Sequence, residues 1–172
     1  MSIRKKYSGF TLIELMITLA LVGIIVGLAA PSFATLIANS RLASTSNDVV
    51  GALNYARSEA VKTGRNVIVN PAAGSNWANG ISIWIDRNGD GSMDVPPATP
   101  DSEEIRRIPE APGSVTVTAS SSGAAVSNFV FTGAGNSSGA VTIQVCDDRS
   151  GESGREITIT LGGRVRGEDF TC

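Results

Sequence analysis

The chain has 172 residues, 42% of them apolar and 17% charged, with a formal net charge of −2 and no histidine. Without histidine, Ser-His-Asp hydrolysis, imidazole acid–base catalysis and histidine-bound metals are excluded. The acidic balance opposes indiscriminate nucleic-acid binding.

The first element begins after the leader "MSIRKKYSG". From Phe10 to Ala30 the chain reads "FTLIELMITLALVGIIVGLAA", in which every residue except Glu14 is apolar, small or a threonine. At about 1.5 Å per helical residue, such a run covers the roughly 30 Å of a bilayer core. Arg4, Lys5 and Lys6 precede it, which by the positive-inside rule keeps the N-terminus in the cytoplasm and exports the remainder. A cleaved secretory signal has a shorter apolar region, about 7–15 residues, ending at a small-residue site. This run is longer and lacks that site, so an anchor is expected. A carboxylate on such a helix costs on the order of 2.5–3.5 kcal/mol, so Glu14 needs a partner. Gly23 and Gly27 form a small-xxx-small pattern that permits close helix packing.

Pro31 removes a helical N–H at the end of the run, and a kink is expected there. From Ser32 the helix resumes. Leu42, Val49 and Ala56 recur every seven residues, as do Ser46, Leu53 and Ala60, which gives a narrow buried seam flanked by Asn47, Asp48, Arg57 and Glu59. Gly64 ends the helix, with Lys62 in its last turn. The expected organisation is a leader over 1–9, a long helix over 10–63 and a head over 64–172. Within the helix, 10–30 is the transmembrane or assembly segment and 31–63 the amphipathic half.

Beyond Gly64 the period changes to two. "NVIVN", "GISIWID", "EEIRRIP", "SVTVTA", "NFVFTG", "AVTIQVC" and "EITITL" read as short strands separated by Gly, Ser, Asn and Pro. Strands in succession without intervening helices predict an antiparallel sheet packed on the long helix, an α+β fold. "ASSSGAAVS" reads as a loop. Cys146 and Cys172 both lie in the exported part, where oxidising conditions favour their pairing. The bridge would close a loop of about 25 residues and stabilise the fold by roughly 3–4 kcal/mol.

Two stretches of the head carry candidate chemistry. "DRNGDGSMD" sets Asp86, Asn88, Asp90 and Asp94 at alternate positions, with Gly91 where a calcium loop turns sharply. The pattern is incomplete, because Pro97 stands where the bidentate glutamate belongs. A polar strand–turn connection accounts for the same residues without a metal, so no cofactor is expected, with calcium the ion that such a loop would take. In "GGRVRGED", a three-residue loop of Gly162, Gly163 and Arg164 would pair Leu161 with Val165, set Arg164 at the tip and send Arg166 outward beside Thr160. Two adjacent guanidiniums can grip phosphates. Asp147, Asp148, Glu152, Glu156, Glu168 and Asp169 oppose this and can pair with Arg149, Arg155, Arg164 and Arg166 instead.

"SGFTLIEL", contiguous with the apolar run, resembles the type III leader of the type IV pilin family. The resemblance implies that a prepilin peptidase cuts between Gly9 and Phe10 and methylates the new Phe10 amine. Loss of the three basic leader residues would take the formal charge from −2 to −5. Cleavage turns the Phe10 amide into a cationic amine. Glu14, four residues on, could meet that amine within one chain, or that of a neighbouring subunit, as the family implies.

"YARSEAVKTGRNV", the "DRNGDG" turn and the late "GRVR" make the whole chain similar to the GspH/FimT branch, the minor pilins and pseudopilins. That resemblance implies the type IV pilin fold and a structural, non-enzymatic subunit, anchored in the bacterial inner membrane with its head in the periplasm. It implies assembly near the tip of a type IV pilus or a type II secretion pseudopilus. The implied partners are other major and minor pilins or pseudopilins, the assembly platform and the prepilin peptidase. Members related to FimT carry a Gly-Arg-x-Arg motif implicated in DNA uptake, and Gly163, Arg164, Val165 and Arg166 match it; the alternative expectation is therefore a DNA receptor.

Overall fold

The computed structural model describes residues 9–94, 103–149, 151 and 153–172. The basic leader residues Arg4, Lys5 and Lys6 lie outside these, as do Pro97 and Glu152. The chain divides into two compact units, Met1–Asn39 and Ser40–Cys172. One helix, α1, spans Leu12–Thr63. Pro31 lies inside it and does not end it.

In the first unit no described residue of the helix is buried. The large apolar residues of this unit, from Phe10 at 84% just before the helix to Ile37 at 49% exposure, all face outward. A stretch of α1 is long and apolar enough to cross a membrane. So much apolar surface is stable only when lipid or protein covers it.

In the second unit the helix has a clear inner stripe. Leu42, Ser46, Val49, Leu53, Ala56 and Ala60 are all buried, the two expected seven-residue rows, and Thr45 and Ala52 widen the stripe. Burying each Leu or Val contributes about 1.5–3 kcal/mol. The helix ends at Gly64, whose φ of 66° is the left-handed conformation that closes a helix without a Cβ clash.

The strands form two antiparallel sheets. β1 (Val67–Pro71), β2 (Ile81–Trp84), β3 (Glu104–Ile108) and β6 (Phe129–Phe131) make a four-stranded sheet ordered β3-β2-β1-β6. β4 (Thr116–Ser121), β5 (Ala124–Ala125), β7 (Val141–Cys146), β8 (Ser153–Ile159) and β9 (Val165–Thr171) make a five-stranded sheet ordered β5-β4-β7-β8-β9. Val67 and Val69 of β1, Ile81 and Ile83 of β2, and Phe129 and Phe131 of β6 join one core with Val117, Val141, Ile143, Val145, Ile157 and Ile159 of the other sheet. Trp77 closes one end of it. Its indole N–H donates to the Val126 carbonyl at 2.9 Å and its ring stacks on Phe129.

"ASSSGAAVS" is not a loop. It holds the end of β4, a two-residue turn and β5, with Ser121 paired to Ala124. Both turn residues have positive φ, Ser122 at 51° and Gly123 at 81°, the type I′ geometry that matches strand twist. β9 is also a strand, although only Val165 and Phe170 of it are even half-buried.

Cys146 and Cys172 form a disulfide, with Cα atoms 6.0 Å apart. It joins the end of β7 to the residue after β9, while β8 runs between those strands. Gly154 makes the crossing feasible. A Cβ there would collide with the Cys172 sulfur and lie 3.1 Å from that of Cys146 and 2.7 Å from the Val145 carbonyl oxygen. Gly154→Ala is therefore expected to leave free thiols after oxidative purification and to lose about 3 kcal/mol of stability. Thiol counting in denaturant and a urea melt check this; full closure with an unchanged melt would contradict it.

Candidate functional site

Three groups of residues carry the candidate chemistry, the first at the start of α1. Thr11 precedes the helix and Glu14 is its third residue. The Thr11 backbone N–H and hydroxyl both donate to Glu14 Oε2, at 2.9 and 2.8 Å, and the Glu14 N–H approaches the Thr11 hydroxyl at 3.3 Å. This is a capping box, in which side chain and backbone satisfy each other's unpaired helix-end groups. Thr-x-x-Glu is legible in the sequence, but reading Glu14 only as a stray charge passes over it. Both bonds fall on one oxygen, and Glu14 Oε1 takes none among the described residues.

The second group is the connection from β2 to β3. Asp86 accepts the N–H groups of Gly89 at 2.6 Å and Gly91 at 3.1 Å, and Asp90 accepts that of Ser92 at 2.7 Å. The Asn88 amide donates to Asp90 and Asp94, both at 3.0 Å. Gly89 and Gly91 have φ of 81° and 77°, the backbone that Asn-Gly and Asp-Gly dipeptides supply. Among the described residues, no three His, Cys, Asp or Glu side chains converge to hold a metal ion.

The residue that organises this connection is one the sequence reading passed over, Glu103. Its side chain is buried, and it accepts N–H groups from Arg87 at 2.6 Å and Asp94 at 3.0 Å, with Asn88 at 3.4 Å. A glutamate just before a strand reads in sequence as an ordinary solvated charge. Only the fold brings those N–H groups around it. Partial burial raises the Asp94 carboxyl above its usual range, and the neighbouring charges of Asp90, Glu103 and Asp86 add to the shift.

The third group is the β8–β9 turn, where the register differs from the expected one. Ile159 pairs with Val165 and Thr158 with Arg166. Arg164 is not at the tip: it stands opposite Thr160, whose N–H donates to the Arg164 carbonyl at 3.0 Å, and Leu161, Gly162 and Gly163 form the turn. The shift moves the pairing by two residues along β8. That preserves faces, so Arg166 points outward as expected, but beside Thr158.

The reason lies across the fold. Arg57 of α1 donates from Nε to the Gly135 carbonyl and from Nη2 to the Gly162 carbonyl, both at 3.0 Å. Gly163, with φ of 71°, lies so close to Gly135 that a Cβ would strike the Gly135 carbonyl oxygen. The motif glycine is thus a packing residue, while its two arginines are solvent-exposed. Arg166 approaches Glu168 at 3.5 Å. Arg155 pairs with Asp169, and Arg149 with Asp147 at 2.6 Å. The Arg149 hydrogen bond holds the Asp147 carboxyl below its usual range. Among the described residues, the Arg164 guanidinium meets no carboxylate.

A long apolar helix that continues into the core of an antiparallel β head defines a type IV pilin-like protein. The chain belongs to the family "Type II transport protein GspH", which matches residues 45–163. The "Prokaryotic N-terminal methylation motif" matches residues 4–30. Among solved structures, the Pseudomonas aeruginosa type IV minor pilin FimU is similar at 24% identity and a TM-score of 0.62, over 76% of this chain and 90% of that one. A second crystal form of FimU is similar at 25% identity and 0.58, over 74% and 92%. The Vibrio cholerae minor pseudopilin EpsH of the type 2 secretion system shares the fold at 9% identity and 0.55, over 74% and 96%. Comparison with curated proteins gives no match. Pilins and pseudopilins of this family are structural proteins.

Because its folded-state carboxyl is raised, Asp94 favours folding below its unfolded value of 3.8, and that contribution is lost as pH rises through the folded value. Asp94→Asn should accordingly raise the melting temperature near pH 7, with the gain shrinking towards about pH 3. A gain that persists undiminished in acid would contradict this.

Proposed function

We propose that the chain is a minor pilin or pseudopilin, cut by prepilin peptidase between Gly9 and Phe10 and methylated at Phe10. It is held in the inner membrane by the first part of α1 with its head in the periplasm, and then assembled with other pilins or pseudopilins near the tip of a type IV pilus or type II secretion pseudopilus. Its role there is structural, not catalytic. The observation that carries this reading is the first unit of the chain: a helix with apolar residues exposed on every side and one carboxylate near its start. Such a surface suits lipid before assembly and neighbouring helices after it. Glu14 supplies the charge for a neighbour's Phe10 amine through Oε1, while Thr11 holds Oε2. Glu14→Leu should leave membrane insertion intact and cut incorporation into filaments by at least tenfold. Membrane fractionation alongside recovery of sheared or cross-linked filaments is the check, and undiminished incorporation would refute the assignment.

A second reading rests on the exposed Arg164, which has no acidic partner among the described residues, beside the outward-facing Arg166. In it the same subunit captures DNA through phosphate contacts that are weak, independent of sequence and strongly dependent on salt. In a gel shift, Arg164→Gln with Arg166→Gln should abolish the retarded band at low salt; equal binding by parent and double variant would remove the motif from this role.

A further inference from the structure

We infer that Arg65, at the end of the long helix, belongs to the same phosphate-binding surface as Arg164 and Arg166, and that the occupant is the backbone of duplex DNA. This rests on the second reading above. Three backbones meet here without side chains between them. A Cβ on Gly133 would collide with the carbonyl group of Gly64, and one on Gly163 would collide with that of Gly135. Gly133 and Gly135 belong to a single tight turn, in which Gly135 donates to Thr132 at 2.7 Å and Thr132 to Asn136 at 2.8 Å. The helix end, the turn after β6 and the β8–β9 turn therefore stack side by side at one pole of the head. Arg65 directly follows Gly64, and Arg164 directly follows Gly163. Two backbones that carry arginines 99 positions apart in the sequence are held near each other by these glycine contacts.

The electrostatics of that pole favour an anion. Arg65 and Arg164 are exposed, and neither guanidinium meets a carboxylate among the described residues. Lys62, one turn back, is tied to Glu59 at 3.3 Å. The acids nearby face their own loops or other cations, although each keeps its charge. Asp86 borders a cavity of about 350 Å³ with Gly64 and Arg65, but both of its oxygens accept N–H groups of its own loop, from Gly89 and Gly91. Glu168 lies on the Arg166 side. Each of the two segments thus offers a guanidinium suited to a phosphate. The surface suits a duplex better than a single strand, because no aromatic side chain stands among these residues to stack on unpaired bases.

The test uses the full processed chain in non-ionic detergent with a labelled duplex, titrated between about 50 and 200 mM salt, a range over which each lost phosphate contact lowers the slope of log affinity against log salt by about 1. Arg65→Gln should weaken binding several-fold and lower that slope by about 1, on top of the loss from the motif arginines. Arg41→Gln removes the same charge from an exposed helical position outside this pole and should leave both affinity and slope unchanged. If Arg65→Gln behaves as the parent while Arg164→Gln with Arg166→Gln loses binding, the inference about Arg65 fails and the second reading stands. Equal losses from Arg65→Gln and Arg41→Gln would also overturn it, since only overall charge would then matter. If the parent itself binds no duplex at the lowest salt, the second reading falls and this inference with it.

Discussion

The guanidinium of Arg57 is the point on which the head depends. From the edge of the buried stripe of α1 it reaches Gly135, in the turn that follows β6 of one sheet, and Gly162, in the turn that joins β8 and β9 of the other. One side chain thereby ties the helix to both sheets. Its bonds go to carbonyl groups that turns leave without ladder partners, and charge-assisted bonds of this kind are worth about 1.5–3 kcal/mol each. Lysine would not serve, because the rigid fork of arginine aims two donors in fixed directions. The glycines around it follow from the same constraint. Gly135 must let Val61 approach, and Gly163 must let the Gly135 carbonyl approach, so the backbone carrying Arg164 is set by a residue more than a hundred positions earlier.

What could be read from the sequence divides along the same line. The two seven-residue rows of α1 were legible because a helix buried on one side must repeat its small and apolar residues there, and all six proved buried. β7 and the apolar end of β8 were legible because their period of two points alternate residues into a core. β5 and β9 were not. They are edge strands, held by ladder bonds rather than by apolar burial, and a polar edge strand has no hydrophobic signature. The turn register escaped for a different reason. Hairpin rules weigh the local chain only, and here Arg57 and Gly135 decide which residues form the loop. Glu103 was hidden likewise, since its partners are the N–H groups of another segment.

The two units resolve their apolar surface in opposite ways. In the second, two sheets close over the helix, and among its described residues only Val61 and Leu161 remain as exposed large apolar side chains. Among the described residues, Arg149 pairs with Asp147, Arg155 with Asp169 and Arg166 with Glu168, while Asp86 and Asp90 cap their own turn. In the first unit nothing is closed. Leu12, Ile17, Ile24, Leu28 and Phe33 are all exposed, and at about 25 cal/mol per Å² such a surface strongly favours any environment that removes it from water. The need for an apolar cover is thus encoded in the part of the chain with the least tertiary structure of its own.

That division explains why a carboxylate can sit at the start of so apolar a helix. Near a helix N-terminus a negative charge is favourable, because it faces the unpaired N–H groups and the positive end of the helix dipole. The Thr11 N–H and hydroxyl on Oε2 offset part of the desolvation cost without any second chain. A cationic amine at the same terminus has the opposite preference, since the dipole repels it. Severing the chain before Phe10 would therefore place an unfavourable charge one turn from a favourable one already held in position by Thr11. The cation is best relieved by a carboxylate, and the carboxylate retains an oxygen to receive one. Glu14 is consequently compatible with an isolated helix while one of its oxygens takes no donor among the described residues, a combination that a carboxylate deeper in the apolar run would not provide.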